Sequence, residues 1–69
     1  MAGDKPDGAG EEVLIEFVVY GNVTRVTAIH VASGTEVAIV GPANAPRVTL
    51  EAAVSRKLAY VMGKEKDAS

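Results

Sequence analysis

The dipeptide Gly21-Asn22 most constrains the fold, because it separates two runs of residues that favour β-strands. The run before it is VLIEFVVY and the run after it is VTRVTAIHV, and both are rich in β-branched residues. Glycine and asparagine tolerate positive φ angles, so the pair predicts a two-residue hairpin turn. Such a turn sets Tyr20 opposite Val23 and assigns each side chain of both strands to one face of the sheet.

A second turn and a third strand follow. The segment ASG at residues 32–34 predicts a three-residue bulged turn, which leads into a strand over residues 35–40. That turn length sets Ile29 opposite Val37. The predicted sheet is therefore a three-stranded antiparallel meander.

The last part of the chain changes from strand to helical periodicity. Apolar residues recur at spacings of four, four and three at Leu50, Val54, Leu58 and Val61. This pattern predicts an amphipathic helix that begins at residue 47 or 49 and ends at residue 62, with Gly63 as its C-cap. The expected fold class is α+β, with strands and helix in the order βββα and the helix packed on one face.

The expected domain organisation is a single domain over residues 11–63. Residues 1–10 are polar and glycine-rich and predict a flexible leader, and residues 64–69 predict a flexible tail. A chain of 69 residues can bury only a thin core, so small domains often depend on a disulfide, a metal or a partner subunit.

The predicted register leaves one face of the sheet without a cover. The helix is expected to cover the face that carries Ile15, Phe17 and Ala28. The opposite face combines a polar stripe with large apolar side chains, whereas a solvated antiparallel sheet normally presents polar residues. We therefore predict an interface formed by Leu14, Glu16, Val18, Tyr20, Arg25, Ile29, Val37 and Ile39.

Two of these residues are charged and allow two interpretations. Glu16 and Arg25 would form either a cross-strand diagonal ion pair or a site for a polar ligand, and the ion pair is the simpler interpretation. If a partner covers this face, replacement of Val18 and Ile39 by lysine is expected to dissociate the assembly.

Candidates for catalysis and metal binding are few. The chain has no cysteine and one histidine, which excludes disulfides and thiolate metal sites and leaves His30 without a recognisable nucleophile or orienting acid. We expect His30 to be structural, and we expect no enzymatic activity, no cofactor and no metal.

Charge argues against nucleic acid and membranes as general partners. The formal net charge is -2, and no apolar run approaches the roughly 20 residues that span a bilayer. The C-terminal third is mildly basic, but acidic residues are interspersed there, which is typical of a solvated helix face. The chain is expected to be cytoplasmic.

The run VTAIHVASGTEVAIVGPANAPRVTLE, followed by SRKLAYVM, resembles a group of short uncharacterised bacterial proteins, mainly from alphaproteobacteria. The matching positions are Ala28, Ile29, Ser33, Gly34, Glu36, Val37, Gly41, Pro42, Ala43, Arg56, Lys57 and Leu58. The resemblance implies a bacterial cytoplasmic protein of unknown function and implies no site residues.

The leading functional hypothesis is a non-enzymatic assembly module that forms a homodimer through the open sheet face. Pairing of edge strands and exchange of the helix are variants of the same hypothesis. One alternative is a subunit or regulator that docks on a different protein through that face. A less favoured alternative is a weak nucleic-acid binder that uses the helix.

Overall fold

A computed structural model describes the backbone of residues 12–68 and the side chains of residues 12–64. Its elements are β1 (Val13–Tyr20), β2 (Val23–His30), β3 (Thr35–Pro42) and α1 (Arg47–Ala68). The strands form one antiparallel sheet in the order β1-β2-β3. The predicted α+β fold, a three-stranded meander followed by one helix, is confirmed. The leader predicted at residues 1–10 lies outside the described residues.

The first hairpin has the predicted two-residue turn. Tyr20 lies opposite Val23, and Gly21 has a φ of 63°, a conformation that glycine adopts without steric cost. The amide of Ala43 also donates to the carbonyl of Asn22 at 2.8 Å, so the end of β3 is bonded to this turn.

The second turn has four residues, and the predicted three-residue turn was wrong. His30 lies opposite Thr35, and the amide of Gly34, with a φ of 77°, donates to the carbonyl of His30 at 2.8 Å. Ser33 stabilises this turn, because its hydroxyl lies 2.8 Å from His30 Nδ1 and accepts the amide of Thr35 at 3.1 Å. Such local side-chain bonds can select one turn over another.

The longer turn shifts β3 by one residue and exchanges its two faces. Val37 lies opposite Ala28, and Ile39 lies opposite Val26. Val37 and Ile39 were predicted on the open face, but they pack beneath the helix. Ala38 takes the outer side instead, so Lys at Ile39 would disturb the core rather than an interface.

The core lies between α1 and the two strands β2 and β3. Gly41 permits the close approach of the helix, because a Cβ at this position would lie only 2.6 Å from Cδ2 of Leu50. The arrangement leaves β1 largely beside the helix rather than under it. The buried apolar side chains are Val26, Ala28, Val37, Leu50, Val54 and Leu58.

The helix is longer than predicted. It begins at Arg47, after Pro46, and continues through Gly63 to Ala68. Gly63 does not adopt the positive φ of a C-cap, and one glycine inside a helix costs only about 1 kcal/mol relative to alanine. The tail predicted at residues 64–69 is therefore helical as far as Ala68.

Thr24 is a polar side chain buried in this core. It is 3% exposed, and its hydroxyl has no hydrogen-bond partner within the described part of the chain. Because a buried hydroxyl without a partner is unfavourable, Thr24→Val should raise the free energy of unfolding by about 1 kcal/mol. Urea denaturation measures the change, with Thr27→Val on the outer side of the same strand as the control. A loss of stability in Thr24→Val would contradict the absence of a partner.

Candidate self-association surface

The face of the sheet opposite α1, here called the outer face, follows directly from the observed register. Side chains of the three strands stand in four rows across it. The rows, each written from β1 to β3, are Leu14-Ile29-Glu36, Glu16-Thr27-Ala38, Val18-Arg25-Val40 and Tyr20-Val23-Pro42.

Apolar side chains dominate these rows, and several are exposed. Leu14, Val18 and Tyr20 of β1 are each about half exposed, and Val40 of β3 is 62% exposed. The other apolar members of the rows lie beside them, and the polar residues Glu16, Thr27 and Arg25 cross the centre of the face. A sheet face with this many large apolar side chains is typical of an interaction surface rather than of a solvated face.

Six of the eight residues predicted for the interface lie on the outer face: Leu14, Glu16, Val18, Tyr20, Arg25 and Ile29. The register removes Val37 and Ile39 and brings in Glu36, Ala38 and Val40, which the sequence reasoning had missed. The outer face keeps its apolar character and gains a carboxylate at one corner.

The charged residues at the centre of the outer face do not pair with each other. Glu16 lies opposite Thr27, while Arg25 lies opposite Val18 in the next row. Both side chains are exposed, and among the described residues neither has an ion-pair partner, so the predicted ion pair is not formed. Both charges are therefore available to another molecule.

His30 is bonded to the second turn. Its Nδ1 accepts the amide of Ser33 at 3.3 Å and lies 2.8 Å from the hydroxyl of the same residue, which in turn donates to Thr35 at 2.8 Å. These bonds agree with a structural role for His30, which stays a prediction. Over the same described residues, no group of His, Asp and Glu side chains is arranged to hold a metal ion.

A groove, here called the β1–α1 groove, lies between β1 and the helix on the other side of the sheet. Its volume is about 710 Å³, and it results from the position of α1 over β2 and β3. Its lining is mainly apolar, with three polar side chains. The lining residues are Val13, Ile15, His30, Glu51, Ser55, Leu58, Ala59 and Met62.

Three of the four helical cations whose side chains are described contact the chain itself. Arg47 lies over the ring of Phe17 at 4.3 Å, and Lys64 lies over the ring of Tyr60 at 5.7 Å. Lys57 Nζ donates to the backbone carbonyl of Ala38 at 3.0 Å. Arg56 is the fourth cation.

In the described part of the chain, no helix combines the length and the apolar character needed to span a bilayer.

The extent of the fold agrees with a family assignment. A family model described as a domain of unknown function, DUF6898, matches residues 10–66. The chain belongs to the DUF6898 family. The three strands, both turns and most of α1 lie within the matched residues, so the outer face and the β1–α1 groove are parts of the DUF6898 domain itself. Neither a curated protein nor a solved structure matches this DUF6898 chain.

Proposed function

We propose that this DUF6898 domain is a non-enzymatic module that forms a homodimer through its outer face. One observation carries the proposal: a sheet face dominated by large apolar side chains is exposed on the side that the only helix among the described residues leaves uncovered. Burial of a large apolar side chain contributes roughly 1.5–3 kcal/mol when it is complete. The resemblance of the sequence to bacterial proteins extends the proposal to a bacterial, cytoplasmic protein.

The charges of the outer face favour a second copy over an unlike partner. In a two-fold dimer the same patch meets itself, so Arg25 of one copy can face Glu16 of the other, and the reciprocal pair forms at the same time. Charges buried by an interface must be paired to avoid a large desolvation cost. At the centre of the outer face one unpaired carboxylate lies beside one unpaired guanidinium, so these two central charges meet the condition without an unlike partner, while the second carboxylate, Glu36, lies at a corner.

The size of the outer face sets the expected affinity. Three strands of eight residues give a flat area of about 14 by 26 Å. This is small for a protein interface, so we expect dissociation constants in the micromolar range.

Val18→Lys is the primary test. It places an ammonium group in the middle of the outer face while preserving the backbone bonds of β1. Sedimentation equilibrium of the full chain should show that Val18→Lys weakens the outer-face association by at least about tenfold. Val48→Lys is the matched control, because Val48 is 72% exposed on the helix and lies off the sheet. A wild-type chain that stays monomeric at about 1 mM, a thousandfold above a micromolar dissociation constant, contradicts the proposal.

A charge exchange tests the reciprocal pairing. Glu16→Arg and Arg25→Glu should each weaken the outer-face association, since each sets like charges against one another. The double variant should restore it, because both cross-copy pairs are then reversed together. Failure of the double variant to restore association, with both single variants impaired, would contradict the reciprocal pairing of Glu16 with Arg25.

A further inference from the structure

The two edges of the sheet differ in how they are protected. On β3, Pro42 has no amide to offer, and the carbonyl of Ala38 accepts a hydrogen bond from Lys57 Nζ. Proline and lysine are the usual devices by which proteins prevent unwanted strand pairing. On β1, all eight residues from Val13 to Tyr20 pair regularly with β2, and the strand contains neither proline nor lysine.

The hydrogen-bond pattern identifies the open backbone groups of β1. The amide of Val31 donates to the carbonyl of Glu12, which makes these opposed residues a hydrogen-bonded pair. Because such pairs alternate along an antiparallel ladder, the even-numbered residues of β1 bond to β2 and the odd-numbered ones point their amides and carbonyls away from it. The outward-pointing residues are Val13, Ile15, Phe17 and Val19, and these groups have no partner among the described residues.

β1 is also exposed on both faces. Five of the nine large apolar side chains that are exposed in the described chain belong to this strand. Leu14, Val18 and Tyr20 lie on the outer face, but Val13 and Val19 lie on the helix side, where Val19 is 62% exposed. An outer-face dimer leaves this helix side of β1, Val19 included, in water.

We infer that β1 pairs in antiparallel fashion with β1 of a second copy, extending the sheet from three strands to six. The pairing satisfies the outward amides and carbonyls of Ile15, Phe17 and Val19 and covers the open edge of β1. Two-fold symmetry across the edge leaves both helices on the same side of the extended sheet. The second copy's β1 then lies along the open side of the β1–α1 groove. This contact is separate from the outer-face dimer and does not depend on it.

The position of Glu16 selects the register. A two-fold centre at Glu16 would set the two carboxylates directly opposite each other, which is unfavourable. A centre at Phe17 retains the required hydrogen-bond alternation and sets Glu16 opposite the second copy's Val18. It also joins the two Phe17 rings as a cross-strand aromatic pair, a favourable combination in sheets.

Val19→Pro tests the edge contact in the full-length chain. Proline removes an outward amide that makes no bond within the chain, as Pro42 does on β3. Val19→Ala is the matched control, because it shortens the same side chain and keeps the amide. We expect Val19→Pro to weaken edge association by at least about tenfold in sedimentation, and Val19→Ala to weaken it far less. Equal association of Val19→Pro and wild type would overturn the inference.

Combination with Val40→Lys separates the two surfaces, because Val40 lies on β3 of the outer face and away from the β1 edge. Val18 is unsuitable here, since the proposed register sets it opposite the second copy's Glu16. Wild type should assemble beyond a dimer at high concentration, each single variant should stop at dimers, and the double variant should be monomeric. Dimers in Val19→Pro that Val40→Lys abolishes support the outer face alone when Val40→Lys by itself is monomeric, and that result overturns the edge contact. Dimers of Val40→Lys that Val19→Pro abolishes support the edge contact even if the outer-face proposal fails.

Amide hydrogen exchange of the wild-type chain supplies a readout that does not depend on a variant's folding. On association, the amides of Ile15, Phe17 and Val19 should become protected, while that of Ala38 on the outer edge of β3 should not. Continued rapid exchange of all three β1 amides in the assembled protein would overturn the inference.

Discussion

Val37→Lys should unfold the domain, whereas Val40→Lys should leave it folded and weaken only the outer-face association. The two variants make the same chemical change on the same strand, but Val37 is 7% exposed beneath α1 and Val40 is 62% exposed on the outer face. An unpaired ammonium group buried in the core costs several kcal/mol. A domain of this size is stable by only about 3–10 kcal/mol, so Val37→Lys removes most or all of that margin.

Circular dichroism and thermal denaturation at low concentration would measure this contrast. Val40→Lys should retain the wild-type spectrum and melting temperature, and sedimentation should show its weaker association. The opposite result, with Val37→Lys folded and Val40→Lys unfolded, would restore the three-residue turn and the register that it implies.

Leu58→Ala should cost about 2–5 kcal/mol of stability, the usual range for a buried leucine replaced by alanine. Leu58 is almost fully buried and belongs to the core cluster, while its side chain also lines the β1–α1 groove. Its loss therefore opens the thin core to solvent. Tyr60→Ala is the control, because Tyr60 is mostly exposed two residues further along the same helix. Chemical denaturation of both variants gives the two free energies, and equal losses would contradict the packing described for Leu58.

The parts of the fold that local chemistry determines could be predicted from the sequence. Gly21-Asn22 gave the first hairpin and its register, and the spacing of apolar residues from Leu50 onwards gave the helix. The second turn could not be predicted from composition alone. Its length depends on how Ser33 bonds to His30 and Thr35, and a turn with one more residue reverses both faces of β3.

The sequence did contain a pattern that favours the observed register. In TEVAIV, the residues of β3 alternate between Glu36 and Ala38 on one side and the larger Val37 and Ile39 on the other. Because the core beneath the helix is thin, the larger side chains of Val37 and Ile39 are favoured on the helix side of β3. This use of side-chain size depends on tertiary packing, whereas the predicted register relied on the length of the turn.

The spacing of apolar residues could not predict which strands α1 lies over. A hydrophobic stripe identifies which face of the helix is buried, but the strands beneath it are selected by close packing. Ala28 on β2 and Gly41 on β3 are small and admit the helix, whereas Phe17 on β1 is bulky and is covered by Arg47. Both the β1–α1 groove and the exposure of β1 follow from this offset.

The hydrogen bond from Lys57 Nζ to the Ala38 carbonyl bears on how far a sheet built from this chain can grow. Lysine from the helix and Pro42 from the strand itself occupy the β3 edge, so the sheet of each chain can accept another strand only at its β1 edge. Two chains joined through β1 would have a protected β3 edge on each side, and neither edge would be open to a third chain. The same helix that leaves β1 open also protects the opposite margin, so a sheet extended through β1 as proposed would end at six strands.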